Sequence, residues 1–141
     1  MATTRSALTI WNGSLLEGSG QVTLDSSGVG SFPVSWPARS EEPGGMTSPE
    51  EMIAAAHSSC FAMALSNALA KAGSTPAQLE TKAEVDFQPG VGITEIRLHV
   101  KGDVPGLDAQ GFEAAAEDAK ENCPVSQALK AVAITLSVEM A

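Results

Sequence analysis

The stretch SPEEMIAAAHSSCFAMALSNALAKAG, residues 48–73, decides the fold, because it predicts one long helix with both of its ends specified. Ser48 is a typical N-cap, and Pro49 suits the first helical position. Glu51 completes an S-x-x-E capping box, in which the two side chains bond each other's backbone N–H groups. Gly73 supplies the stop signal, since glycine readily adopts the left-handed conformation that ends helices.

Residues 52–70 of this helix contain no Asp, Glu, Lys or Arg. The run is nominally long enough to span a membrane. It is mostly alanine, however, with polar residues such as His57 and Asn67, and neither an aromatic belt nor a polybasic cluster flanks it. A helix that is apolar nearly all round is typical of a protein interior. We therefore expect a buried central helix and no membrane span.

The composition indicates one globular domain. The chain has 141 residues, 43% of them hydrophobic and 18% charged, and it shows no internal repeat, so we expect a single domain over residues 1–141. A net charge of −9 argues against nucleic acid and against an anionic membrane surface as partners. The N-terminus has no signal-peptide pattern, which predicts a cytoplasmic protein with reduced thiols.

Alternating runs on both sides of the long helix predict strands. These runs cover residues 7–11, 21–24, 30–36, 79–87, 92–100 and 132–140. Pro33 favours an edge position or a bulge for the third strand. Residues 37–48 are expected to form a loop, residues 108–121 a second helix and residues 124–130 a further turn. The order βββ-α-ββ-α-β predicts an α+β fold, in which an antiparallel sheet packs around the long central helix.

Cys60 lies in the middle of the charge-free helix, where two interpretations stay open. A buried helical cysteine is more often a small hydrophobic residue than a nucleophile. If Cys60 is a nucleophile, burial raises the pKa of its thiol, and it lies too far from the helix N-terminus to be helped by it. A cation must then come from elsewhere. Arg39 is the best candidate, because Arg5 lies near the terminus and Arg97 is expected on the solvent face of a strand.

Three further side chains have candidate roles. Glu50 is not needed for the capping box and is free to orient an arginine. Cys123 lies in the sequence NCPV, where a proline interrupts the second helix. Two thiols that meet would form a peroxide-reducing or disulfide-exchanging pair, whereas two thiols that do not would be packing residues. His57 is expected to be a core histidine whose hydrogen bonds are satisfied, and no spacing predicts a metal site or a cofactor.

The segments PARSEE, TSPEEMIAAAHSSCFAMALS and NCPVSQALKAVAITLSVEM resemble the OsmC/Ohr family of osmotically inducible and organic hydroperoxide resistance proteins. AAHSSCFAMALS, CPVSQALKA and VPGLDAQGF are closer to the OsmC branch. The resemblance implies a thiol peroxidase that reduces organic hydroperoxides to alcohols. It places the peroxidatic cysteine on Cys60, the resolving cysteine on Cys123, the activating arginine on Arg39 and its carboxylate partner on Glu50.

The resemblance also implies an intertwined homodimer with two active sites near the subunit interface. Dihydrolipoamide or another dithiol would recycle the disulfide, and no cofactor is implied. One inference goes further, because Glu50 and Cys60 are ten residues apart. In a straight helix that is about 15 Å, too far for a carboxylate to bridge. We therefore expect Arg39 and Glu50 to serve the partner subunit's Cys60.

An apolar pocket formed by Phe61, Met63 and Leu65 would favour bulky organic peroxides over hydrogen peroxide. Two alternatives to the peroxidase stay open. One is a non-enzymatic α+β dimer that binds an apolar ligand, in which Cys60→Ser would leave function untouched. The other is a disulfide-exchange protein or redox sensor, which would react with protein disulfides and show no preference among peroxides.

Overall fold

The structure, a computed structural model, describes every residue from Met1 to Ala141. The elements are β1 Leu8–Asn12, β2 Ser19–Thr23, β3 Ser31–Val34, α1 Trp36–Ser40, α2 Pro49–Lys71, β4 Gln78–Gln88, β5 Gly92–Asp103, α3 Ala109–Asn122, α4 Pro124–Ala128 and β6 Ala133–Met140. The chain divides into two compact units, residues 1–52 and 53–141. The predicted α+β class is confirmed. The short helices α1 and α4 were not predicted, since they lie in the segments expected to be a loop and a turn.

Helix α2 begins and ends where its caps predict. The Ser48 hydroxyl accepts the Glu51 N–H at 3.1 Å. Gly73 has a φ of +91°, and the N–H of Ser74 bonds back to the last turn at 2.8 Å, as in a Schellman motif. The reciprocal bond of the capping box, from the Ser48 N–H to the Glu51 carboxylate, is replaced by a different contact. The Glu51 carboxylate accepts the hydroxyl of Thr47 at 2.7 Å.

Helix α2 buries one stripe of side chains rather than its whole circumference. His57, Phe61, Leu65 and Leu69 recur every fourth residue and are at most 2% exposed. On another side of the helix, Met63 is 71% exposed. The expectation of a helix buried all round is therefore wrong for the single chain. The core of the second unit packs against only one face of α2.

By length and apolar composition alone, α2 would qualify as a membrane-crossing helix. Only one helix of the structure does so, and the core helices of soluble proteins often meet the same two criteria. This single helix is weak evidence for a membrane span.

The first unit is a three-stranded antiparallel sheet with little core. Its strand order is β1-β2-β3, so β3, which contains Pro33, is an edge strand as predicted. Val22 and Ala38 are the only buried hydrophobic side chains in this unit. Its large exposed hydrophobic residues include Leu8, Ile10, Trp11, Leu15, Leu16, Val29, Phe32 and Met46.

The second unit contains a separate sheet of order β4-β5-β6. Strands β4 and β5 form the predicted antiparallel hairpin, but β6 runs parallel to β5. The prediction of one antiparallel sheet is therefore wrong in two respects, the number of sheets and the direction of the last strand. The reason is the long connection through α3 and α4, which returns the chain to the start of β5, as parallel neighbours require.

Alternation along β5 separates the core of the second unit from its polar face. Ile96, Leu98 and Val100 are at most 3% exposed, whereas Arg97 and His99 project from the other face. The remaining buried side chains of this core pack against the apolar face of the sheet. They are Phe61, Leu65, Leu69, Val104, Phe112, Ala116, Ala119 and Cys123. Cys123 thus belongs to the core, and Cys60 packs against it half-buried.

Candidate active site

Arg39 and Glu50 form the ion pair that the sequence predicts. Helix α1, capped by Ser35, places Arg39 in its last turn, and Glu50 lies in the first turn of α2. The Arg39 Nε donates to Glu50 Oε1 at 3.0 Å, and its Nη2 donates to Oε2 at 2.9 Å. Two parallel bonds fix the plane of the guanidinium group. The Glu50 side chain is only 8% exposed, and the Arg39 side chain is 32% exposed. The first unit therefore holds a cation in one orientation.

An apolar cavity of about 270 Å³ lies beside Arg39, within the first unit. The indole rings of Trp11 and Trp36 contribute to its wall. The remaining lining residues are Thr9, Leu15, Val22, Val34, Ser35, Pro49 and Met52. This cavity was not predicted, because its residues come from three strands, two helices and the segments between them, which are separated along the chain.

The pocket predicted from Phe61, Met63 and Leu65 is wrong. Phe61 and Leu65 are fully buried in the core of the second unit, whereas Met63 is exposed. Phe61 and Leu65 share the buried stripe of α2, whereas Met63 lies on another side of the helix, so these three cannot line one pocket.

The two cysteines meet in the second unit. Cys60 Sγ and Cys123 Sγ are 3.0 Å apart, and both thiols are free. A disulfide is about 2.05 Å long, so bond formation needs an approach of about 1 Å. Cys123 lies between α3 and α4, because Pro124 has no N–H group with which to continue α3. Of the two outcomes left open by the sequence, the structure shows thiols in contact.

Two opposing influences act on the Cys60 thiol within its own unit. Burial raises the pKa of Cys60, and the hydrogen bond with Cys123 raises it further, whereas a backbone hydrogen bond from Val125 lowers it. The Val125 N–H belongs to the first turn of α4, where backbone donors have no partner inside the helix. Sequence reasoning missed this donor. The signal that could have found it is Pro124, a residue favoured at the first position of a helix.

A second buried polar contact lies one helical turn from the thiols. His57 Nε2 and Ser126 Oγ are 2.7 Å apart, and both residues are buried. Burial lowers the pKa of His57, so the imidazole is neutral near pH 7. Its Nδ1 atom has no hydrogen-bond partner. The prediction of a satisfied core histidine is confirmed for its burial and for Nε2 but is wrong for Nδ1, and the pairing with Ser126 was not predicted.

Arg97 is engaged on the polar face of the second sheet, as its alternation predicts. It donates to both carboxylate oxygens of Asp86 at 2.8 Å and to Glu95 at 3.1 Å. The bond from Arg97 lowers the pKa of Asp86. On the same face His99 bonds Glu84 at 2.6 Å, and this bond lowers the pKa of Glu84. These side chains form a local charge network.

Residues 42–139, well over half of the chain, match the OsmC-like protein family. The chain belongs to this family. Over 133 residues it is 42% identical to Peroxiredoxin OsmC of Escherichia coli K12, a match that covers 92% of each chain. The resemblance inferred from the sequence motifs is confirmed.

Solved structures of OsmC-like proteins share the fold. An organic hydroperoxide resistance protein from Elizabethkingia anophelis is 26% identical, with a TM-score of 0.74 over 100% of both chains. An OsmC-like protein from Mycoplasma pneumoniae is 14% identical, with a TM-score of 0.77 over 100% of this chain and 99% of that one. At 14% identity the second likeness concerns the fold alone.

Proposed function

We propose that this protein is a two-cysteine thiol peroxidase that reduces organic hydroperoxides to alcohols. The peroxidase class predicted from the sequence is confirmed by the relative named Peroxiredoxin OsmC. The hydroperoxide resistance protein of Elizabethkingia anophelis supports an organic substrate. The observation that carries the two-cysteine mechanism is the 3.0 Å contact between Cys60 and Cys123.

In the first step, the Cys60 thiolate attacks the distal oxygen of the hydroperoxide. The O–O bond breaks, the alkoxide takes up a proton and leaves as the alcohol, and Cys60 becomes a sulfenic acid. Arg39, held in orientation by Glu50, stabilises the thiolate and the negative charge that develops on the peroxide oxygen.

In the second step, the Cys123 sulfur attacks the sulfenic acid sulfur of Cys60. The S–S bond forms, the S–O bond breaks, and the hydroxide leaves as water with the proton of the Cys123 thiol. A dithiol of the dihydrolipoamide type then reduces the disulfide by two successive thiol–disulfide exchanges. No bound cofactor takes part in this scheme.

The apolar cavity beside Arg39 supports a preference for organic peroxides. An alkyl or aryl group would pack against Trp11 and Trp36, while the peroxide group faces the guanidinium. Hydrogen peroxide has no such group, so it would gain nothing from the cavity.

We propose that the active form is a homodimer in which Arg39 and Glu50 serve the partner subunit's Cys60. Glu50 and Cys60 lie on one uninterrupted helix, α2, and ten residues of helix rise about 15 Å. The exposed apolar side chains of the first unit offer a surface for association, and so, separately, does the exposed Met63 side of α2. We also propose that residues 1–141 form one OsmC-like domain. We place the protein in the cytoplasm, where both thiols stay reduced at rest.

A peroxidase assay with dihydrolipoamide as the reductant tests this function. We expect kcat/KM for cumene hydroperoxide to exceed that for hydrogen peroxide by about tenfold or more, and Cys60→Ser to abolish turnover of both. Ser59→Ala is the matched control, because the Ser59 hydroxyl bonds only carbonyls of its own helix. Exchange with protein disulfides without peroxide turnover would favour a redox sensor. Binding of an apolar ligand that Cys60→Ser leaves unchanged would favour the non-enzymatic ligand-binding dimer.

A further inference from the structure

We propose that the hydrogen bond between His57 and Ser126 is a clamp that keeps Cys123 within reach of the Cys60 sulfenic acid. His57 and Ser126 would then be positioning residues for disulfide formation. The inference rests on the proposed function, since it concerns the second step of that mechanism.

The geometry couples the clamp to the thiols. His57 lies three residues before Cys60, and Ser126 lies three residues after Cys123. Residues three apart face similar sides of a helix. The contacts of 3.0 Å between the sulfur atoms and 2.7 Å between His57 and Ser126 are therefore neighbouring cross-links, which join α2 to Cys123 and to the helix α4 that follows it.

Besides the bond with His57, α4 is held by one side-chain hydrogen bond, from the Gln127 amide to the Glu121 carbonyl of α3, and by the packing of its apolar side chains. The helix has five residues, of which Ser126 is the only fully buried one, and Cys123 at its N-cap makes no side-chain capping bond. Val125 and Leu129 pack against the core only partly buried. A single helical turn has little stability of its own. Cys123 itself is buried in the core at the end of α3. The bond between His57 and Ser126 fixes the direction in which α4 leaves Cys123, and with it the Val125 N–H and the approach of the Cys123 sulfur to Cys60.

The chemistry of His57 fits a positioning role and not thiolate activation. The imidazole is buried and neutral near pH 7, so it supplies no positive charge to Cys60. Its only bond is to the Ser126 hydroxyl, and Nδ1 has no partner in either tautomer. Buried polar side chains are costly unless paired, so this single bond strongly favours one position of α4.

Two reactions compete for the Cys60 sulfenic acid. Attack by Cys123 forms the disulfide and releases water, whereas a second hydroperoxide transfers an oxygen to the sulfur and forms the sulfinic acid. The ratio of sulfinic acid to disulfide measures this competition. Because both products arise from the same sulfenic acid, the ratio does not depend on how fast that acid forms.

The test compares this ratio in His57→Leu, Ser126→Ala and the double variant, by mass spectrometry of reduced protein treated with a fixed excess of cumene hydroperoxide. We expect each single variant to raise the ratio about tenfold or more, as misplacing a reacting group by an ångström does. The double variant should match the singles, because both act through one bond. His57→Gln should restore the wild-type ratio, since its amide nitrogen can take the place of Nε2.

Thr81→Val is the matched control. The Thr81 hydroxyl donates to the Ser58 carbonyl of α2 at 2.9 Å, a bond between elements that does not involve α4. We expect the wild-type ratio for this variant. An equal rise in Thr81→Val, or a wild-type ratio in Ser126→Ala, would overturn the clamp.

The outcomes also separate the clamp from the function on which it rests. A wild type that forms no Cys60–Cys123 disulfide would overturn both. A wild type that forms it, with Ser126→Ala and His57→Leu forming it equally well, would overturn the clamp alone. If His57→Leu does not fold, Ser126→Ala and His57→Gln, which change the buried volume less, decide the question.

Discussion

The groups that surround Cys60 in its own unit leave the pKa of its thiol raised. Burial and the bond with Cys123 raise the pKa of Cys60, and only the backbone bond from Val125 lowers it. A raised pKa means a smaller thiolate fraction at neutral pH, and the thiolate is the nucleophile. Arg39 is the cation to which we assign this task, because Glu50 holds it in a fixed orientation.

Substitution of Arg39 tests this assignment at a single residue. Arg39→Lys keeps the charge but loses the two parallel bonds to Glu50, so we expect kcat/KM to fall about ten- to a hundredfold, and Arg39→Ala to cost more. The pKa of Cys60 should rise in Arg39→Ala, because one influence that opposes burial is removed. Alkylation by iodoacetamide should then be slower at pH 7, with its pH midpoint moved to higher pH.

The control for this experiment is Arg97→Ala, which removes a guanidinium that bonds Asp86 and Glu95 on the polar face of the second sheet. It should leave the alkylation midpoint unchanged. An unchanged midpoint in Arg39→Ala would contradict the role of Arg39.

At the scale of elements, the core of the second unit depends on the close approach of β5 and α3. Gly102 lies near the end of β5, directly against the ring of Phe112 from α3, which is fully buried. A Cβ atom at position 102 would overlap this ring. Only glycine lets the strand and the helix pack at this distance.

Gly102→Ala should therefore destabilise the protein. We expect the free energy of unfolding to fall by about 1–3 kcal/mol, the usual cost of overpacking a core, as measured by urea denaturation. Phe112→Leu in the same chain should recover part of the loss, because the smaller side chain gives the new methyl group room. A Gly102→Ala protein as stable as the wild type would show that the strand and the helix can move apart freely.

Elements specified by local chemistry could be predicted, and those specified by distant contacts could not. Ser48 and Gly73 mark the ends of α2, because capping involves only neighbouring residues. The direction of β6 depends on how α3 and α4 return the chain to the sheet, which an alternating pattern does not encode. The one-sided burial of α2 likewise depends on which elements cover it.

The same distinction holds for the candidate site. Sequence motifs predicted the pair Arg39–Glu50 and singled out both cysteines, and the structure brings each pair into contact. The bond between His57 and Ser126 joins residues 69 positions apart, and no periodicity signals it. Pro124 after Cys123 indicated that the second helix is interrupted. It did not indicate that the next helix, α4, begins beside the Cys60 thiol.

At the scale of the whole molecule, apolar exposure is concentrated in the first unit. Leu16 is 68% exposed, Ile10 61% and Leu8 53%. Large exposed apolar patches on soluble proteins mark interaction sites. In the proposed homodimer, a second copy of the chain would cover these exposed side chains.

Subunit complementation tests whether the active site is shared between subunits. Arg39→Ala and Cys60→Ser are each expected to be inactive, but a heterodimer of the two pairs an intact Cys60 with the partner's Arg39. Co-expression with two affinity tags should therefore recover up to half of the wild-type activity in the doubly tagged fraction. If Arg39 serves Cys60 of its own chain, the heterodimer stays inactive. A monomer with full activity would contradict the shared site as well.

The most direct test of the central claim is the peptide mass spectrum of fully reduced protein after one equivalent of cumene hydroperoxide. We predict a cross-linked peptide pair that contains Cys60 and Cys123, formed rapidly and separated again by dihydrolipoamide. Two free thiols after prolonged exposure would contradict the account, because the contact between the cysteines would then be one of packing alone.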